Sequence, residues 1–260
     1  MEVVILPSGE QIAALAADTI VRLLAEKPDA VLGLATGSSP LGVYTELIGR
    51  CRAGEVSFAR ARGFLLDEYV GLPADHPQRY RSVIRRELEE SVDFAPGAVN
   101  GPDGTADDIA AACSSYEELL AAAGGVDVQL LGIGTDGHIG FNEPGSSLAS
   151  RTRIKTLTEQ TRADNARFFG SIDQVPRHVL TQGLGTISDA RHLLMVATGP
   201  AKAEAVHRMV EGPVSAACPA SVLQLHPHAS VLLDDAAASR LELAGYYRET
   251  YAGKPPWQTL

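Results

Sequence analysis

The chain has 260 residues, 45% hydrophobic and 21% charged, with a formal net charge of −10. That balance is ordinary for a globular protein, and no apolar run reaches the ~18 residues of a membrane span. The acidic surplus disfavours nonspecific nucleic-acid binding. The start, MEVVILPSGEQ, lacks the basic region and small-residue cleavage site of a secretory signal. Cys51, Cys113 and Cys218 form no Cys-x-x-Cys pair, which argues against a disulfide framework or zinc knuckle. A cytoplasmic protein with reduced thiols is expected.

Taken in chain order, apolar runs and helical spacings alternate. Glu2–Pro7 reads as a strand and Gln11–Leu24 as an amphipathic helix. Ala30–Thr36 is the next strand, followed by a turn at Gly37 and Ser38. Ser39 is the expected N-cap and Pro40 the first position of a helix over Pro40–Cys51. Further strands are expected at Gly63–Leu66, Val126–Ile133, His192–Ala197 and Ser230–Leu233. Helices are expected at Gln78–Glu90, Ala106–Ala122, Glu159–Phe169, Lys202–Val210 and Ala236–Tyr247. This alternation predicts one α/β domain over residues 1–260: an open, mostly parallel, Rossmann-like sheet with helices on both faces. Residues 148–177, polar and irregular in period, are expected to form a mobile lid.

Ligands bind beyond the carboxyl ends of strands in such sheets. Four segments gather there: Thr36–Pro40, Asp67–Val70, Gly134–Pro144 and Thr198–Lys202. In GIGTDGHIGFNEP, glycines relieve crowding in a loop just after a strand. Asp136 and His138 bracket Gly137, and an Asp beside a His fixes its tautomer and supports the imidazolium. Such a His is a proton shuttle suited to opening a sugar ring, and Glu143 stands ready to assist from the other side. Simple backbone capping by Asp136 and His138 is the structural alternative. Metal binding by Asp136, His138 and Glu143 ranks below acid–base work, because no further His or Cys has ligand spacing.

In FLLDEYVGLP, Asp67 ends an apolar strand, where a carboxylate is placed to move a proton between adjacent sugar carbons. Glu68 is the alternative acid, and capping of the next turn the structural one. In GLATGSSP, the backbone N–H groups of Gly37, Ser38 and Ser39 lead into a helix N-terminus, a setting that suits phosphate; a plain capped helix start also fits. Arg151, Arg153, Lys155, Arg162 and Arg167 face only Glu159 and Asp164 between positions 151 and 167, and Lys202 follows another strand. Arg and Lys hold phosphate oxygens, although a basic run is also a common solvated face.

Together GLATGSSP, LLDEYVGLP, GIGTDGHIGFNEPGSSLASRTRIKTL, RADNARFF and LQLHPHA resemble the glucosamine-6-phosphate deaminase family (glucosamine/galactosamine-6-phosphate isomerases) over nearly the whole chain. The stretch from Gly134 to Leu157 is the most specific part. The resemblance implies conversion of glucosamine 6-phosphate and water to fructose 6-phosphate and ammonia, with no metal or organic cofactor. It implies that His138, assisted by Asp136 and Glu143, opens the ring, and that Asp67 moves the C2 proton towards C1. Gly37, Ser38, Ser39, Arg167 and Lys202 would hold the phosphate. Ser146, Ser147, Arg153 and Lys155 match the positions through which some members, as hexamers, bind N-acetylglucosamine 6-phosphate as an activator. A homo-oligomer is therefore expected. The rival readings are a 6-phosphogluconolactonase-like hydrolase, an isomerase acting on the galactosamine epimer, and a sugar-phosphate sensor without turnover.

Overall fold

The apolar runs that read as strands form the middle layer of the protein. A computed structural model describes residues 1–255 and 257–260, with Asp164 described by its backbone alone; Pro256, within the C-terminal segment, lies outside the described residues. The strands are β1 (Glu2–Leu6), β2 (Val31–Leu34), β3 (Arg62–Leu65), β4 (Asp67–Tyr69), β5 (Val99–Asn100), β6 (Val128–Leu131), β7 (Arg153–Thr156), β8 (His178–Thr181), β9 (His192–Ala197) and β10 (Ala229–Asp234). The α-helices are α1 (Gly9–Glu26), α2 (Leu41–Arg52), α3 (Tyr80–Glu87), α4 (Ile109–Ala122), α5 (Glu159–Phe169), α6 (Leu184–Ser188), α7 (Ala203–Val210) and α8 (Ala244–Ala252). Among the described residues no helix is long and apolar enough to cross a membrane.

Seven strands form an all-parallel sheet in the order β1-β10-β9-β6-β2-β3-β5. Both faces are covered, which is why β9 reads as a continuous apolar run rather than an alternating one. Its Leu193 and Met195 pack with Tyr116 of α4, Ile187 of α6 and Val206 of α7. Leu194 and Val196 face the other way, with Ile12 of α1, Val43 of α2 and Ile84 of α3. After β2 the chain adds strands on one side (β3, β5), and from β6 onwards on the other (β9, β10). The direction reverses between β2 and β6. A crevice opens at such a switch point, beyond the carboxyl ends of the strands, and the Gly37–Ser39 and Gly132–His138 turns leave β2 and β6 there.

A second sheet, β4-β8-β7, is antiparallel and was not foreseen. Asp67 does not continue β3 as expected: it opens β4, pairing with Thr181 of β8. Tyr69, Phe141, Phe169, Val175 and Val179 form a small aromatic-rich cluster with this sheet.

Other expectations need correction. Ser39 is not the N-cap of α2; Pro40 occupies that position, without a side-chain cap, and the helix begins at Leu41. Helix α4 starts at Ile109 because the Asp108 carboxylate accepts the Ala111 N–H at 2.9 Å. The expected helix over Gln78–Glu90 is shortened to α3, with a 3₁₀ turn at Glu89–Ser91. The last helix is displaced from Ala236–Tyr247 to Ala244–Ala252. Asp234 ties up the Ala237 N–H, and Glu211 takes the N–H groups of Glu242 and Leu243, so the chain turns before it can wind.

Candidate active site

The turn after β6 is closed by two backbone hydrogen bonds, Gly134 N–H to the His138 carbonyl (2.9 Å) and Gly137 N–H to the Gly134 carbonyl (3.1 Å). Gly137 has φ +93°, a conformation in the left-handed region that favours glycine. The His138 ring lies against Gly134: a Cβ there would come within 2.3–2.5 Å of three ring atoms. Asp136 accepts the His138 N–H at 3.0 Å, and its Oδ1 also stands 2.7 Å from Nδ1. That second contact lies off the ring N–H direction and acts as an ion pair. Glu143 Oε2 is 3.7 Å from the same nitrogen, and Glu143 Oε1 accepts the Thr161 hydroxyl of α5 at 2.7 Å. Both carboxylates thus address Nδ1, leaving Nε2 for a ligand.

Burial alone disfavours the imidazolium, but Asp136 and Glu143 outweigh it and push the His138 pKa up to about 9. Burial likewise opposes the Asp136 charge, yet His138 and Glu143 hold that carboxyl well below the usual range. At neutral pH the turn therefore stores a proton on the ring. One ligand atom from each of Asp136, His138 and Glu143 falls within 4.8 Å of the others. A cation would accept that spacing, in competition with the proton on the ring.

Adjacent carboxyls on β4 have different tasks. Glu68, 1% exposed, spends both oxygens on backbone: Oε1 accepts from Tyr69 (2.8 Å) and Tyr80 (2.9 Å), Oε2 from Arg81 (3.0 Å). It satisfies the open N–H groups at the start of α3, and the Arg79 Nε stands 3.5 Å away. Asp67 is 6% exposed, and its carboxylate makes no hydrogen bond among the described residues. Burial, and then the neighbouring Glu68 charge, push its pKa up to about 8, while His138 pulls it back. Of the two carboxyls, Glu68 is committed to backbone N–H groups, whereas that of Asp67 is not.

The Gly37–Ser39 turn is open to solvent at Gly37 (φ +93°) and Ser38. Ser39 sits so close to the turn after β6 that a Cβ on Gly132 would lie 3.0 Å from its Oγ. Lys202 ends a 3₁₀ turn, Pro200–Lys202, ahead of α7. Burial lowers its pKa, Asp136 opposes that, and Arg167 adds to it. Lys202, Arg167 and Asp136 thus lie within electrostatic reach of one another. Among the described residues neither cation has a carboxylate partner; Arg167 rests over the Phe168 ring at 4.7 Å.

The remaining expected positions lie elsewhere. Ser146 is buried with its hydroxyl unpartnered, and Ser147 is exposed. Arg153 and Lys155 share one face of β7, half-buried, and burial lowers the Arg153 pKa. Sequence reasoning missed several supports. Thr161 holds Glu143, Asn165 donates to the Tyr69 hydroxyl at 3.1 Å, and Arg208 donates to the carbonyls of Asp136 (3.3 Å) and Ala217. Thr161 directly precedes the RADNARFF segment and Asn165 lies within it, so helical spacing from Arg167 was the one available signal; Arg208 offered none.

The fold is that of an α/β enzyme, with Asp136, His138 and Glu143 gathered at the switch point of its parallel sheet. The chain belongs to the glucosamine-6-phosphate isomerase/6-phosphogluconolactonase family, whose model matches residues 8–232. It is 70% identical over 259 residues to a glucosamine-6-phosphate deaminase of Mycolicibacterium smegmatis, covering 99% of each chain. It is 69% identical to that of Beutenbergia cavernae, covering 100% of each. Among solved structures, a monomeric glucosamine-6-phosphate deaminase shares 45% identity and a TM-score of 0.90, with 92% of this chain and 100% of that one covered. A 6-phosphogluconolactonase from Trypanosoma brucei shares the fold, with a TM-score of 0.75 at 22% identity over 92% and 98%.

Proposed function

We propose that the chain converts glucosamine 6-phosphate and water into fructose 6-phosphate and ammonia. The observation that carries this reading is the pairing of a ring-opening group with a separate, buried, unpaired carboxyl, Asp67. Lactone hydrolysis moves no carbon-bound proton and has no use for Asp67; an aldose–ketose conversion requires such a base. The relatives at 70% and 69% identity carry the deaminase name.

In this reading the phosphate rests on the Gly37–Ser39 N–H groups, Arg167 and Lys202. His138 gives its proton to the ring oxygen while the Asp136/Glu143 pair takes the anomeric hydroxyl proton, breaking C1–O5 and forming the aldehyde. Asp67 removes the C2 proton, the carbonyl oxygen is reprotonated, and an enolamine forms. Asp67 then returns its proton to C1, leaving a C2 imine. Water adds at C2, ammonia leaves, and the ketose remains. Residues 148–177 serve as the lid, since α5 carries Arg167 and reaches the site through Thr161 and Asn165. The three free thiols suit a reducing compartment, and we assign the enzyme to the cytoplasm.

Coupled assays on glucosamine 6-phosphate, galactosamine 6-phosphate and 6-phosphogluconolactone test the reading. Lactone turnover without ammonia release from the amino sugars overturns it. His138→Ala should keep ligand binding and lose ring opening.

We further propose that N-acetylglucosamine 6-phosphate activates a homo-oligomer, a hexamer in this reading, through Ser146, Ser147, Arg153 and Lys155. The shared face of Arg153 and Lys155 and the unpartnered Ser146 hydroxyl support an anion site there. The solved deaminase at 45% identity is described as monomeric, so mass in solution and ammonia-release curves with and without the activator decide. A monomer with an unmoved hyperbolic curve refutes this part.

A further inference from the structure

Asp67 is buried, and no side chain among the described residues fixes its carboxylate, yet a base acting on a carbon-bound proton has to be aimed. Its neighbours across β4 and β8 supply a means. Asp67 and Thr181 are register partners in an antiparallel pair, so their side chains rise side by side on one face. Thr181 is fully buried. Its Oγ1 accepts the Phe141 N–H at 3.1 Å, which ties it to the loop carrying His138 and Glu143. Its own hydrogen has only a 3.3 Å contact with the Gln182 carbonyl, at the long end of the useful range.

Gly140 (φ +56°) lies between the two: a Cβ there would stand 2.8 Å from Thr181 Oγ1 and 3.5 Å from Asp67 Oδ2. The surrounding frame is hydrogen-bonded at several points, although Asn142 Oδ1 has no partner among the described residues. Asn142 Nδ2 donates to the carbonyls of Ile139 (2.9 Å) and Gln182 (2.8 Å). Gln182 returns to the residues before Asp67, through its N–H to Leu66 (2.8 Å) and its Nε2 to the Leu65 carbonyl (3.0 Å).

We propose that Thr181 is a positioning residue for the base: with Oγ1 held by the Phe141 N–H, its hydroxyl leaves the Gln182 carbonyl and donates to the ionised Asp67 carboxylate once that side chain turns towards it, and so aims it. This rests on the reading of Asp67 as the base. A hydroxyl hydrogen rotates to suit its acceptor, and a bond to the charged form favours that form. The titratable groups coupled to Asp67 are Glu68 and Tyr69 on its own strand, Tyr80 of α3, Tyr116 of α4 and His138. Removing the Thr181 hydroxyl also frees the Phe141 N–H, so the shift of the acid limb, and not the fall in kcat by itself, reads the bond to Asp67.

The experiment compares Thr181→Val, Thr181→Ser and Asp67→Asn in the full chain. Readouts are ammonia release against pH and incorporation of solvent deuterium at C1 of fructose 6-phosphate. Thr181→Val should lower kcat about ten- to a hundredfold, as expected for a lost hydrogen bond to a charged group. KM should stay within about twofold, and the acid limb of the kcat profile should move to higher pH, because the carboxylate loses a stabilising donor. Thr181→Ser, which keeps the hydroxyl, should restore both. Thr181→Ala takes the place of the valine variant if that one does not fold. A valine or alanine variant with unchanged kcat and an unshifted limb overturns the proposal, as does a serine variant that restores neither. If Asp67→Asn still incorporates deuterium at C1, the base reading itself falls. If Asp67→Asn loses incorporation while Thr181→Val keeps it, only the role of Thr181 falls.

Discussion

In the seven-stranded sheet β9 is buried along its whole length, whereas in the three-stranded sheet β7 alternates half-buried Arg153 and Lys155 with exposed Ile154 and Thr156. The large sheet is held by apolar side chains on two faces, and its polar exceptions, such as Gln129 and His192, are few and far from the chemistry. The small sheet is held by specific hydrogen bonds and one aromatic cluster, and it carries Asp67. The main core and the buried Asp67 carboxyl thus belong to different sheets. An unpaired carboxyl costs stability wherever it is buried, and here it sits at the seam between the two.

The sharpest way to break this division is Asp67→Asn. Turnover should fall by about 10²–10⁴-fold, the usual contribution of general acid–base catalysis. The melting temperature should rise, because an amide remains neutral in the same pocket; retained turnover places the base elsewhere. Next is Gly134→Ala, whose Cβ would collide with the His138 ring at 2.3 Å. We expect kcat about a hundredfold lower with an unchanged circular dichroism spectrum, and an intact rate would show that the ring does not need that seat.

A paired comparison then separates the sheets. Leu194→Ala in β9, where the side chain is fully buried, should cost about 2–5 kcal/mol in urea unfolding and leave kcat unchanged. Glu68→Gln should cost about 1.5–3 kcal/mol, the scale of hydrogen bonds to a charged group, and lower kcat as well, since α3 and β4 lose their shared anchor. Equal kcat losses in both would erase the distinction. The last test concerns pH. Burial, with the neighbouring His228 and His226, depresses the His192 pKa from 6.5 to about 3. The unfolded chain therefore binds a proton below 6.5 that the folded chain refuses until about 3, so stability is full above 6.5 and lost as pH falls across that window. His192→Gln should flatten this part of the stability profile, and an unchanged slope would refute the assignment.

The same contrast explains what a reader of the sequence sees. β9 was legible to the residue because six consecutive buried positions leave a continuous apolar signature. α5 was equally legible, between its Thr158 cap and Gly170 in the left-handed region. Asp136, His138 and Glu143 stood out because they share one short loop, and the structure brings them around one ring nitrogen. β4, β7 and β8 were missed: they are short, mixed in polarity, and defined by partners distant in sequence. The choice of Asp67 over Glu68 rested on a continuous strand that the structure breaks. What favours Asp67 instead is the capture of Glu68 by α3, a tertiary event without a local signal. Ser39 likewise looked like a cap and is instead packed against Gly132.

The pairing of β4 with β8 also bears on how the protein assembles. β4 is made early in the chain and its partner late, with β5, β6 and their helices between them. Contacts of such sequence separation form slowly, because the loop must close before they reward it. During synthesis the Gly37–Ser39 turn and the His138 loop emerge before Thr181 does, and Lys202 only after it. A refolding chain should therefore recover turnover only once β8 has closed on β4. Recovery of ammonia release should lag behind recovery of the helical circular dichroism signal, and the interval between them measures how late the small sheet closes.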